Sequence, residues 1–395
     1  MSGRNQYQSV TSTGIDAARV AELPGHTREG GWIAHARVGA LMLASFACCN
    51  VSAQPHSILV KEGEHALLGG ETERAGALFE QAASINHAAE PEVGLIRTYM
   101  QRGEYRRAIA FAAHTAGAHP EASAGCGLYA WLLHVGGQAQ AAALTLARAR
   151  LRLPKDSLLL AIEASLKSLA ALPGLAPADQ LFGPVSPGSA TIPKTAQVLG
   201  SGVLANQGRT VLAPADNVAA SQQLWVRDGL GRVTAARLAK RFGQSGVVEL
   251  EVATPFATTE DGSQIQVAGR DPFPGSAGYL VEFASSNDAA PSWPALHLGF
   301  IGQLAPDEGR YKLGINAPGA ARGGPVFDSA GRWIGMSIKG AGREDRLVVI
   351  SELQRLGAIA ADGSALERAR PMPVDEVYER ALRVTVQLIG AASSE

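Results

Sequence analysis

The chain has 395 residues, enough for two domains with extensions, each with a sizeable core. Its 35 Lys+Arg against 36 Asp+Glu leave a net charge of −1. That balance gives no basic field for nucleic acid and no acidic tail, so nucleic-acid binding is not expected. The three cysteines, Cys48, Cys49 and Cys126, match no zinc or redox spacing. Nine histidines are spread thinly, and only His297 lies beyond residue 135. No metal and no cofactor is expected from this pattern.

Residues 38–49 (VGALMLASFACC) form an apolar run too short to span a bilayer. Arg28, His35 and Arg37 precede it, and Val51-Ser52-Ala53 places small residues at both key positions of a cleavage site. The segment 1–53 therefore reads as a leader with a secretory signal cut after Ala53. It predicts a periplasmic or secreted protein. Cys48 sits in a poor lipid-attachment context, which leaves membrane attachment open.

Residues 57–170 are rich in Ala and Leu at helical spacing and contain an internal repeat. Gly70, Gly103 and Gly137 are 33 and 34 residues apart, and Ala75, Ala108 and Ala142 keep the same step. Phe79, Ala112 and Leu146 follow each alanine by one helical turn. Pro120 and Pro154 close the second and third units. This predicts about three helix–turn–helix units, with residues 155–170 as a capping helix. The period resembles that of tetratricopeptide repeats. The resemblance implies a solenoid that presents a concave surface to a protein or peptide.

Residues 171–195 are rich in Pro, Gly and Ala and read as a linker or an extended lead-in strand. From about 196 the pattern becomes short apolar runs between glycines. Residues 224–228, 247–252, 279–283, 296–302 and 333–338 read as strands of an all-β sandwich or barrel spanning 196–355. A tail, 356–395, carries a helical stripe from Val374 to about Arg383. Beyond it Val384, Val386 and Leu388 alternate, which suits a strand, and that stretch is left open. The expected class is multidomain α + β: an all-α solenoid, then an all-β double barrel, then a C-terminal helix.

Two segments carry a family likeness. Gly200-Ser201-Gly202-Val203-Leu204, followed by residues 210–218 (TVLAPADNV), resembles the opening of a trypsin-like protease of the high-temperature-requirement type. Arg322-Gly323-Gly324-Pro325-Val326-Phe327-Asp328, then residues 331–336 (GRWIGM), resembles that family's nucleophile loop. The likeness covers roughly residues 196–352 and implies a trypsin-like double β-barrel.

The triad chemistry needs a nucleophilic hydroxyl, a base and an orienting carboxylate. By the resemblance the base position falls on Asp216, with Asn217 next to it. The acid position falls near Gly246, with Glu249 three residues on, and the nucleophile position falls on Arg322. The resemblance therefore implies a protease fold without its catalytic residues. His297 lies on a strand pattern and in the wrong chain order to replace the base.

Two functional classes follow. One is an exported, non-catalytic scaffold or peptide-capturing protein, a subunit of an envelope complex. The other is a serine-type endopeptidase with a non-standard site, or one completed by a partner or by a repeat histidine such as His65, His87, His114, His119 or His134. A third expectation is local: Arg322, Gly323 and Gly324 would offer a guanidinium and backbone N–H groups as an anion or carboxylate pocket.

Overall fold

A computed structural model of the chain describes residues 56–168, 181–187, 192–218, 222–243, 245–256, 266–317, 319, 322–340, 344–360 and 370–392. The signal, its cleavage site, Cys48 and Cys49 lie outside the described residues, as does most of the 171–195 segment. No helix among the described residues is long and apolar enough to cross a membrane.

The first part is helical: α1 (His56–Leu68), α2 (Thr72–Ile85), α3 (Ala89–Gln101), α4 (Tyr105–Ala118), α5 (Ser123–Val135), α6 (Ala139–Arg152) and α7 (Ser157–Ser168). They form three antiparallel pairs and a capping helix. Each pair turns in the same way. Gly70, Gly103 and Gly137 adopt φ of +78°, +74° and +82°, a region glycine enters without cost. The residue after each glycine donates its N–H five residues back, from Glu71 to Ala66, Glu104 to Tyr99 and Gln138 to Leu133. That is the Schellman closure of a helix end. The small residues Ala75, Ala108 and Ala142 are fully buried where helices meet. Phe79 fills a slot walled by Gly63 and Gly94, where any added Cβ would overlap its ring.

The second part is two closed six-stranded barrels. Strands β1 (Gln197–Ala205), β2 (Thr210–Pro214), β3 (Gln222–Asp228), β4 (Val233–Arg241), β5 (Val247–Val252) and β12 (Thr385–Ala392) close in the order β1-β12-β3-β4-β5-β2. Strands β6 (Ala277–Glu282), β7 (Ala295–Ala305), β8 (Arg310–Ile315), β9 (Pro325–Phe327), β10 (Trp333–Lys339) and β11 (Asp345–Val349) close in the order β10-β11-β8-β7-β6-β9. Val211, Val226, Leu250 and Val386 fill the first interior. Leu280, Ile301, Val326 and Leu347 fill the second. Two helices follow the second barrel, α8 (Ile350–Arg355) and α9 (Val374–Ala381).

Each barrel contains a turn of the same kind. Asp228 and Asp328 each accept the N–H of an arginine four residues on and pair with that arginine's side chain. The glycine before each arginine, Gly231 or Gly331, has φ of +86° or +70°.

Two expectations change here. The tail is part of the first barrel: β12 pairs along β1 from Gln197↔Gly390 to Val203↔Thr385, and along β3 from Val386↔Asp228 to Ala392↔Gln222. The open stretch after the helix is therefore a strand, and its alternation was the correct signal. The described part of the linker is not a free tether either. Phe182, Gly183, Pro184 and Val185 are buried, and Trp131 Nε1 donates to Phe182 O at 3.1 Å.

The helices and barrels form one compact unit, residues 53–395. The repeat turns abut the rest: Gly70 meets Pro187, Gly103 meets Leu230 and Gly137 meets Leu296. Tyr105 of α4 and Tyr378 of α9 meet edge-to-face, centroids 4.5 Å apart. Tyr378 also donates to Pro294 O at 2.7 Å. Because Tyr378 is fully buried at this junction, Tyr378→Ala is expected to cost about 3–5 kcal/mol. Urea unfolding, followed by tryptophan fluorescence and far-UV dichroism, should show both signals shifting together.

Candidate functional site

The site lies where three loops converge between the barrels. Strand β2 ends at Pro214 and enters a 3-10 turn, Ala215–Asn217. Ala215 N donates to Gly246 O at 2.8 Å, and Gly246 holds φ of +70° just before β5. Asn217 Nδ2 donates to the backbone oxygen of Arg322 at 3.0 Å. Ser201 N, on β1, donates to that same oxygen at 2.9 Å. The three aligned positions therefore do come together, through backbone and one amide.

Their side chains do not meet as a relay. Asp216 is exposed. Asn217, its neighbour, is the residue that reaches the Arg322 loop. Gly246 has no side chain. Glu249 is not at this junction; its Oε1 accepts from Asn206 Nδ2 at 3.4 Å.

Arg322 turns its side chain into the second barrel. Nη1 donates to Glu282 Oε2 at 2.9 Å and to Ala317 O at 3.2 Å. Nη2 pairs with Asp345 Oδ2 at 2.7 Å. Glu282 ends strand β6 and is fully buried. It also accepts from the Ser337 hydroxyl and, at 3.3 Å, from Gly324 N. Gly323 N donates to Ser337 Oγ at 3.0 Å. Burial pushes the Glu282 carboxyl upward, and the Arg322 charge and these hydrogen bonds draw it back.

This geometry corrects the expected anion pocket. The guanidinium already faces two carboxylates, and the N–H groups of Gly323 and Gly324 already have acceptors inside the protein. The glycines are required for packing instead. Gly323 has φ of +121°, and a Cβ there would overlap Ser201 O. A Cβ on Gly324 would overlap Val281 O. Ser201 completes the seam by accepting Phe283 N at 2.9 Å.

Glu282, Ser337 and Asp345 were missed in the sequence. The signal for Glu282 was present, a single charge inside the apolar strand YLVEF. A buried carboxylate almost always has a partner.

His297 stands on β7, opposite Leu280 of β6. Burial depresses its imidazole to about 4, and the nearby His134 and Arg322 add to the depression. His134 on α5 is lowered by burial too.

No protein-family model matches the chain, and no curated protein matches it in sequence. Solved structures do align with it. The inactive form of the Rv3671c protease is 16% identical over 42% of this chain and 87% of its own, with a TM-score of 0.33. A mutant inactive form of Rv3671c from M. tuberculosis H37Rv is 14% identical over 41% and 84%, TM-score 0.33. A serine endoprotease from Yersinia pestis is 16% identical over 40% of this chain and 55% of that chain, TM-score 0.33. Two closed six-stranded barrels behind a helical region define the architecture here.

Two outcomes follow. Arg322→Ala leaves Glu282 buried without its cation. It should destabilise by about 3 kcal/mol, the low end for a broken buried pair because Arg322 keeps 22% of its side chain exposed. Adding Glu282→Gln should recover part of the loss in urea titrations. The second concerns pH. An unfolded histidine binds its proton near 6.5, whereas folded His297 resists until about 4. Stability should therefore fall as pH drops through that window, by up to about 3 kcal/mol. His297→Gln should flatten that limb of the stability–pH curve.

Proposed function

We propose that the chain is a non-catalytic protein-binding protein, in which a tetratricopeptide-like array and a degenerate trypsin-like domain hold a partner polypeptide without cutting it. The observation that carries this reading is Arg322. By the resemblance Arg322 falls at the nucleophile position; its guanidinium has no lone pair for attack and is held by Glu282 and Asp345. No base side chain faces it from Asp216 or Gly246.

Exposed apolar residues support a binding role. Leu144 and Leu151 lie seven residues apart on one face of α6, at 55% and 84% exposure, with Leu160 exposed on α7. Leu298 and Phe300 lie exposed on one face of β7. Neighbouring apolar side chains left in water often mark a contact surface. The leader read in residues 1–53 would carry this activity to the bacterial envelope, where assembly or peptide capture is the role proposed.

A serine-reactive fluorophosphonate probe tests the reading. Neither labelling of the native protein nor turnover of casein is expected, while immobilised protein should retain unfolded casein uncut and saturably. Labelling that disappears on heat denaturation would favour the serine-type endopeptidase instead.

A further inference from the structure

Glu92 is a carboxylate with 2% of its side chain exposed, in the first turns of α3. Three imidazoles surround it. His87 comes from the loop between α2 and α3, His114 from the end of α4, and His119 from the residue that caps α4. His87 Nε2 is 2.8 Å from Glu92 Oε1, and His114 Nε2 is 3.7 Å from the same oxygen. His119 Nε2 is 3.6 Å from Glu92 Oε2. The donor atoms of His87, Glu92 and His119 all lie within 4.8 Å of one another.

Two of these atoms are orphans. Glu92 Oε2 and His119 Nε2 are both buried and make no hydrogen bond. Their 3.6 Å separation is too long for one. It is close to what two ligands of one tetrahedral ion require, since bonds of about 2.0–2.1 Å give edges of roughly 3.3–3.4 Å.

We infer that His87, Glu92 and His119 bind one zinc ion, with His114 beside them. Imidazole nitrogens and a carboxylate oxygen suit a first-row transition ion and not magnesium or calcium, which take oxygen ligands. The three ligands come from a loop, a helix and a helix end, so the ion's role is to fasten these elements together. The ion fastens the loop between the first two helical pairs to the α4 terminus at the next junction. The sequence hides this set. His114 and His119 are five residues apart, a spacing that does not share a helix face. His119 joins only because the chain leaves the helix there, at φ −124° and ψ 62°.

Titration of tag-free, metal-stripped full chain with zinc by calorimetry tests the site. One ion per chain should bind with submicromolar affinity, and the melting temperature should rise with zinc. Cobalt should give the visible absorption of a tetrahedral site. His119→Ala and Glu92→Gln should each weaken zinc by more than about 100-fold, because each removes a ligand and not merely its support. His87 is 59% exposed, so His87→Ala should lower affinity without disturbing the fold. His65→Ala, on exposed α1 surface, should change nothing. Absence of zinc binding by the parent, or unchanged zinc affinity in His119→Ala and Glu92→Gln, would overturn the site.

Discussion

Strand β12 is the constraint on which the rest depends. It lies between β1 and β3, and without it both strands would present open edges to solvent. Its pairing is reinforced inside the seam, where Arg227 Nη1 donates to Gln387 Oε1 at 2.7 Å. Because β12 is fixed, the helix before it is fixed as well. Helix α9 then offers Tyr378 to Tyr105 and Glu379 to the backbone N–H of Arg106, at 2.8 Å. The helical array is thus positioned by an element that belongs to the first barrel by hydrogen bonding and to the helices by packing.

The junction between the barrels follows a similar logic. Its backbone retains the close approaches that bring three loops together: Ala215 to Gly246, Asn217 to Arg322, Gly323 to Ser201. Its side chains form an internal ion cluster, Glu282 with Arg322 and Asp345. A buried ion pair returns little net stability, since desolvation offsets most of the attraction. What it does provide is a severe penalty for removing one member. The loop is therefore held in one arrangement by charge and by glycine geometry together.

Much of the fold was legible in the sequence because local rules and tertiary packing agree. The 33–34 residue step marks the turns at Gly70, Gly103 and Gly137, where a left-handed residue is needed and glycine supplies it. Short apolar runs between glycines became strands because each barrel buries its inner face. What resisted reading was non-local. The tail's alternation at Val384, Val386 and Leu388 fits a strand, but nothing nearby says which strands it joins. The segment around Phe182 looked like a linker because Pro and Gly also occur where buried chain packs tightly. At the candidate site, aligned letters put Asp216 at the base position, whereas the turn directs Asn217 inward. The cluster around Glu92 depends on a helix end and a loop, which periodicity does not register.

The placement of β12 also bears on how the chain acquires its fold. Arg227 and Gln387 are 160 residues apart, yet they sit on adjacent strands. Closing such a loop early is entropically unfavourable, and topologies dominated by distant pairings form slowly. The second barrel draws all its strands from residues 277–349 and has no such dependence. Local pairing therefore favours the second barrel and the helical pairs over early closure of the first barrel. Until the segment after α9 is in place, β1 and β3 each lack a partner on one side. Unpaired strand edges of this kind are prone to aggregation.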